Sequence, residues 1–299
     1  MSKNTVTVIM RCKNSGWVIK EALDSLFAQS FKQFKLLVVD SGSTDDTIEI
    51  VNNYDCELIQ IPATDYYPGT VLNNALKLIE TEFVVFHNSD SIFQKTDSLS
   101  KLLEAFSDDK VQAAYARQII RPEAHTWVKR DYKVSFPENE PAPEWITISL
   151  VTSAFRMSIF NEHQFYEDAW GSEDIEYGYW LQKNNYKIKY EPNCIVMHSH
   201  NYTLKQMLRR RFIEGEADAY IFDAKSSIFN FLIKFSKSVV IDFFYYCLKG
   251  DYINIIGIPI RRWCYHLGYL KGNRLGQTRK RSNNTDRSKA QKVVFKNYD

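Results

Sequence analysis

The 299-residue sequence contains no uninterrupted apolar run of about 18 residues, the length a spanning helix needs, so no membrane span is expected. Its five cysteines (Cys12, Cys56, Cys194, Cys247 and Cys264) form no C-x-x-C pair and no metal-ligand spacing. They read as buried thiols in a reducing compartment. No signal peptide is expected, because Met1–Thr5 is polar and Thr5–Met10 is too short for an apolar leader core. No G-x-G-x-x-G and no P-loop follows the first apolar run, which disfavours a dinucleotide dehydrogenase or an ATPase. There are no internal repeats. Strong net charge is missing too: the balance is +2. It is unevenly spread, since Arg261 onward carries eleven Lys/Arg against Asp286 and Asp299, leaving 38 − 11 = 27 basic and 36 − 2 = 34 acidic residues before it. A basic tail on a mildly acidic body suggests an anionic partner such as a membrane surface or nucleic acid, or a solvated terminus.

What is present is a regular alternation of short β-rich runs and helical periods. Thr5–Met10 reads as a strand, and Val18, Ile19, Ala22, Leu23 and Leu26 after it have helical spacing. Phe34–Asp40 is a second strand, followed by a helix for which Ser43 and Asp46 form a capping-box pattern. A third strand, a third helix and the strand ending at His87 complete a β-α-β-α-β-α-β order. Short connections of this kind predict a parallel α/β sheet with right-handed crossovers. Further on, Asp97–Phe106 reads as a helix, Val111–Ile119 as a strand and Arg121–Trp145 as a long Pro-rich loop or lid. A helix follows Ser172, strand runs to His198, and Leu204–Phe222 is a charged helix. Ser226–Leu270 is apolar and aromatic but interrupted by Lys234, Lys237, Asp242, Lys249 and Asp251.

Chemistry is expected at the carboxyl ends of the strands, where open α/β sheets bind ligands. Polar residues gather there: Arg11 with Asn14, Asp40 with Ser41, Pro62–Asp65, and Asn88–Asp90. The segments VTVIMRCKN (6–14), LLVVDSGSTDDT (36–47), FVVFHNSDSIF (83–93) and WGSEDIEYGYWLQKNNYKIKYEP (170–192) occur in this order. Together they resemble the family 2 glycosyltransferases, inverting sugar-nucleotide enzymes of GT-A fold. The second segment resembles that family's VVDDGSTD signature with Ser41 in place of the second Asp; the third sits where its DxD motif falls and the fourth where its ED motif falls.

The resemblance implies a divalent cation, Mn²⁺ or Mg²⁺, that helps bind and neutralise the diphosphate leaving group. Asp90 would be its ligand, with His198 or His200 of MHSHNY completing the site; Asn88 stands where the family's first acid does and, with Ser89, would touch the donor. Asp174 would be the base that takes the acceptor's proton, supported by Glu173. Trp170 and Gly171 before them would bind the acceptor. Asp40 would accept from N3–H of uracil or thymine, with Arg11, Asn14 and Asn73 as further nucleotide-sugar contacts.

The expectation is therefore an α/β, Rossmann-like, mostly parallel GT-A sheet with flanking helices and a C-terminal helical extension. Residues 1–223 would be catalytic (donor half to about 120, acceptor half from about 121), 224–275 an amphipathic helical extension, and 276–299 a basic, partly disordered tail. The activity expected is sugar transfer from a dTDP- or UDP-linked donor to a saccharide or lipid-linked saccharide in bacterial surface-polysaccharide synthesis, with similarity to rhamnosyltransferases. A UDP-hexose or N-acetylhexosamine transferase, or a non-catalytic nucleotide-sugar binder, are the alternatives. The setting would be cytoplasmic and peripheral on the inner face of the membrane, without a nucleic-acid partner.

Overall fold

A computed structural model describes residues 6–139 and 141–295. The first apolar run forms β1 (Val6–Cys12), whose Val6, Val8, Met10 and Cys12 enter the core on one face of the sheet and Ile9 the core on the other. The chain continues through α1 (Ile19–Phe27), β2 (Phe34–Asp40), α2 (Thr47–Val51), β3 (Glu57–Gln60), α3 (Pro68–Leu76) and β4 (Phe83–His87). β1 pairs in parallel with β2 and β4, and β2 with β3, as the β-α alternation predicts. These strands read as continuous apolar runs because both faces are covered. In α1, Ile19, Ala22, Leu23 and Leu26 form one buried stripe, the 3.6-residue period at work.

The second half adds β5 (Ile92–Phe93), α4 (Ser98–Glu104), β6 (Val111–Ile119), α5 (Thr126–Ser135), β7 (Thr152–Arg156), α6 (Glu173–Lys183) and β8 (Lys187–Met197). β7 is antiparallel to both β4 and β6, β8 parallel to β6, and β5 antiparallel to β8. The strand order is β3-β2-β1-β4-β7-β6-β8-β5.

Three expectations are corrected. The stretch 121–145, expected as a loop, contains α5, which buries Trp127 and Val128 and stops just before Pro137. Ser43 does not cap α2: that helix begins after Asp46, and the Ser43 hydroxyl bonds Asp40 instead. The basic tail is not a solvated appendage over its described part. After α7 (Leu204–Phe222) and α8 (Ile228–Leu248), α9 (Ile258–Arg281) and α10 (Ser288–Phe295) pack back on the body. Residues 296–299 lie outside the described residues.

The α9–α7 contact is close because α9 carries Gly268, Gly272 and Gly276 along one face; a Cβ there would meet the backbone carbonyls of Leu208, Phe212 and Glu216. Buried Arg279 pairs with fully buried Glu216 across the same contact and stacks over Tyr220 at 4.3 Å. Farther on, Gln291 donates to the Thr64 carbonyl (2.6 Å) and accepts from the Tyr67 hydroxyl (3.1 Å), with Arg287 over the Tyr67 ring at 3.8 Å.

Candidate metal and transfer site

The parallel strands β2, β1 and β4 present their carboxyl ends side by side. From β4, residues 88–91 turn the chain into β5, whose register with β8 sets Ile92 opposite Met197. That antiparallel pairing brings Asp90, just before β5, against His198 and His200, just beyond β8. Asp90 Oδ2 lies 3.0 Å from His200 Nε2 and 3.6 Å from His198 Nε2, and the two Nε2 atoms are 3.2 Å apart. Atoms about 2.0–2.2 Å from one ion, at angles of about 90–109°, stand about 2.8–3.6 Å apart. The triangle therefore fits three ligands of a single cation, and it is the only such group of three among the described residues.

The neighbours set the donor atoms. His198 Nδ1 lies 3.1 Å from Gln118 Oε1 and 3.2 Å from the Tyr132 hydroxyl. Gln118 Nε2 donates to Ser149 Oγ at 2.8 Å, which turns its carbonyl oxygen toward the imidazole. With the proton on Nδ1, the Nε2 lone pair is left for the Asp90 side. Burial lowers the His198 pKa to about 4, so the ring is neutral, the ligating form. Burial alone would raise the Asp90 carboxyl, yet His198, His200 and Arg121 together hold it well below the usual carboxylate range. Arg121 donates to the Asp90 carbonyl at 2.8 Å and lies 5.0 Å from the centre of the Trp17 ring, which is 64% exposed.

The carboxylates of the second candidate group open α6, where the helix N-terminus favours negative charge. Arg11, at the end of β1, reaches Glu173 at 3.6 Å and the Tyr66 hydroxyl at 3.3 Å, so it pairs Glu173 and not Asp40. Asp174 accepts from the Ile175 amide at 2.8 Å. Its carboxyl is pushed well above the ordinary range by burial and then by the adjacent Glu173 charge, with Arg11 opposing.

Most of the other sequence candidates are held by neighbouring groups. Asp40 is fully buried: Oδ2 accepts from the Gly42 and Ser43 amides, 3.0 Å each, and Oδ1 from the Ser43 hydroxyl. It braces the β2–α2 loop. Asn73 is likewise buried and closed, donating to the Phe165 carbonyl and Glu167 and accepting from the Phe165 amide. Trp170 is 5% exposed and packs against Tyr66 and Tyr67 at 5.7 and 5.3 Å, so it supports the site from within. Gly171 has φ +123°, the left-handed side that glycine reaches readily, and leads into α6. Ser89 is buried against Ser15 Oγ at 2.9 Å. Asn14, with φ 47°, accepts from the Thr44 amide at 2.8 Å. Asn88 is half-buried and its side chain makes no hydrogen bond to the described residues. The sequence reading missed Gln118, Tyr132, Arg121 and Trp17; Gln118 shares its strand with Gln112 and Arg117, so no local signal set it apart.

Comparison with known proteins agrees with this architecture. A mannosyltransferase from Pyrobaculum calidifontis, solved with GDP-Man and Mn²⁺, superposes with a TM-score of 0.62 over 92% of this chain and 87% of that one, at 20% identity. The fold is thus that of the GT-A enzymes. The family model for glycosyl transferase family 2 matches residues 7–165, and the chain belongs to that family. It is 27% identical over 223 residues to the O-antigen chain rhamnosyltransferase RfbN of Salmonella typhimurium, covering 70% of this chain and 71% of the relative. It is also 29% identical over 224 residues to the O-antigen chain rhamnosyltransferase WbaN of Salmonella anatum, covering 70% of each.

Proposed function

We propose that this glycosyltransferase moves rhamnose from a dTDP- or UDP-linked donor to a saccharide or lipid-linked saccharide acceptor, with inversion, in bacterial surface-polysaccharide synthesis. The observation that carries the reading is the convergence of Asp90, His198 and His200 at the end of β4. Similarity to the two O-antigen rhamnosyltransferases supports the sugar. One carboxylate and two imidazoles suit Mn²⁺ better than Mg²⁺, which prefers an all-oxygen shell. Bound there, the cation would offset the charge of the departing diphosphate. The Asn88 amide, with no side-chain hydrogen bond among the described residues, is available to the donor's ribose, and Asn14 lies on the loop beside it in the donor half, residues 1–120.

In the acceptor half, 121–223, Asp174 takes the proton of the acceptor hydroxyl as its oxygen bonds the anomeric carbon. The bond from that carbon to the phosphate oxygen breaks on the opposite face, and the nucleoside diphosphate leaves with the electron pair. A base with a raised pKa is well matched to this task. Arg11 holds Glu173 beside it. The protein would work peripherally on the inner face of the cytoplasmic membrane, where lipid-linked acceptors are at hand; no described helix is long and apolar enough to cross one.

A thermal-shift panel of dTDP-rhamnose, UDP-N-acetylglucosamine and GDP-mannose, with and without Mn²⁺, tests the reading. The true donor at 100 times its dissociation constant should stabilise by about 2.7 kcal/mol, and only with metal. Equal stabilisation by GDP-mannose, or none by any donor, overturns the donor assignment.

A further inference from the structure

We infer that the outer face of α8, with the turn that follows it, is a docking surface for an anionic lipid bilayer. Of the twenty-one exposed large hydrophobic side chains among the described residues, fourteen fall between residues 228 and 263. At 3.6 residues per turn, Phe229, Ile233, Val240 and Phe244 share one outer stripe of α8. The turn adds Ile253 and Ile256, each 88% exposed. Monomeric proteins rarely leave so large a contiguous apolar face in water.

The inner face of the same helix is fixed. Asp242, fully buried, accepts from Arg262 at 2.7 and 2.8 Å and from Arg130 at 2.9 Å, tying α8 to α9 and α5. That burial has a consequence for charge. Between residues 225 and 250 the exposed charged side chains are Lys225, Lys234, Lys237 and Lys249, while the single acid, Asp242, is turned inward; Asp251, which opens the turn, accepts from Thr126 and Asn254. Lys237 and Lys234 follow one edge of the apolar stripe, Lys234 with its Nζ 6.0 Å from the centre of the Tyr269 ring. An apolar stripe edged by lysines lies in the headgroup layer of an anionic membrane without spanning it. A second copy of the chain would instead bring the same lysines to the rim of one interface, where nothing neutralises them. A lipid surface is therefore the occupant the charges select.

The inference rests on the peripheral placement proposed above, and its test is separable from catalysis. Full-length protein is co-sedimented with vesicles of phosphatidylcholine alone and with vesicles containing 30 mol% phosphatidylglycerol. Three proteins are compared: wild type, Ile233→Glu/Phe244→Glu and Lys234→Glu/Lys237→Glu. All the changed side chains are exposed, and Mn²⁺-dependent nucleotide binding, measured in parallel, reports the fold and the transfer site. Wild type should partition onto anionic vesicles at least tenfold better than onto neutral ones. The apolar variant should lose binding to both, and the charge variant should lose the preference, each with nucleotide binding unchanged. Wild type remaining in the supernatant with both vesicles overturns the proposal, as does a variant that sediments like wild type. A dimer that forms with rising concentration and is abolished by Ile233→Glu/Phe244→Glu would assign the face to a second copy instead.

Discussion

At the scale of single residues the metal triangle makes a sharp demand. Asp90→Ala should remove the Mn²⁺-dependent part of nucleotide binding in a folded protein, measured by calorimetry with and without the ion. Gln118→Ala should act through His198: it frees the imidazole to rotate or change tautomer, and metal affinity should fall about 10–100-fold. Asp174→Asn should leave donor binding intact and lower turnover about 10²–10⁴-fold. The raised Asp174 carboxyl also fixes a pH dependence. A base must be ionised, so turnover should climb with pH in a window above the ordinary Asp value of about 3.9. Stability moves the other way. The folded chain holds this proton more tightly than the unfolded one, so its contribution is full below about 3.9 and is lost as pH rises through the raised pKa. Asp174→Asn should flatten both trends, and denaturant melts across pH would show it. The meeting of Asp90 with His198 and His200 was legible in the sequence because a strand end and a His-x-His lay where the resemblance put them. The burial of Asp40, Asn73 and Trp170 was not legible, because it is decided by neighbours such as Phe165 and Tyr66 that no local pattern reveals.

At the scale of elements, close approach and buried charge replace chemistry as the argument. Gly272→Ala puts a methyl group against the Phe212 carbonyl in the α7–α9 contact, and overpacking of that kind costs about 1–3 kcal/mol, readable as a drop in melting temperature. Arg279→Ala leaves Glu216 buried without its cation, a loss of about 3–5 kcal/mol. Glu216→Gln in the same chain should recover part of it, because the charge is gone. The first four strands and α7 could be read directly, since each declares itself through local period. Helix α5 was hidden by the prolines around it, although the helix itself contains none. The tail was read as solvated because Arg279 has no acid nearby in sequence: its partner is Glu216, on α7.

At the scale of the molecule, the C-terminal helices are part of the catalytic body's packing. α5, α7, α8 and α9 share one apolar cluster that includes Trp127, Met207, Tyr246 and Ile258. A chain ending at residue 223 should therefore expose the faces of α5 and α7 and aggregate, whatever it does at a membrane; light scattering of the two lengths would show it. The return of α10 to Thr64 and Tyr67 reaches further. Gln291 meets partners 227 and 224 positions earlier. During synthesis, which proceeds from the amino end at about 5–20 residues per second, the strap cannot close over this part of the donor half until residue 291 has left the ribosome. A nascent chain stalled short of that point would carry the edge beside Tyr67 uncovered, and would be a natural client for a chaperone.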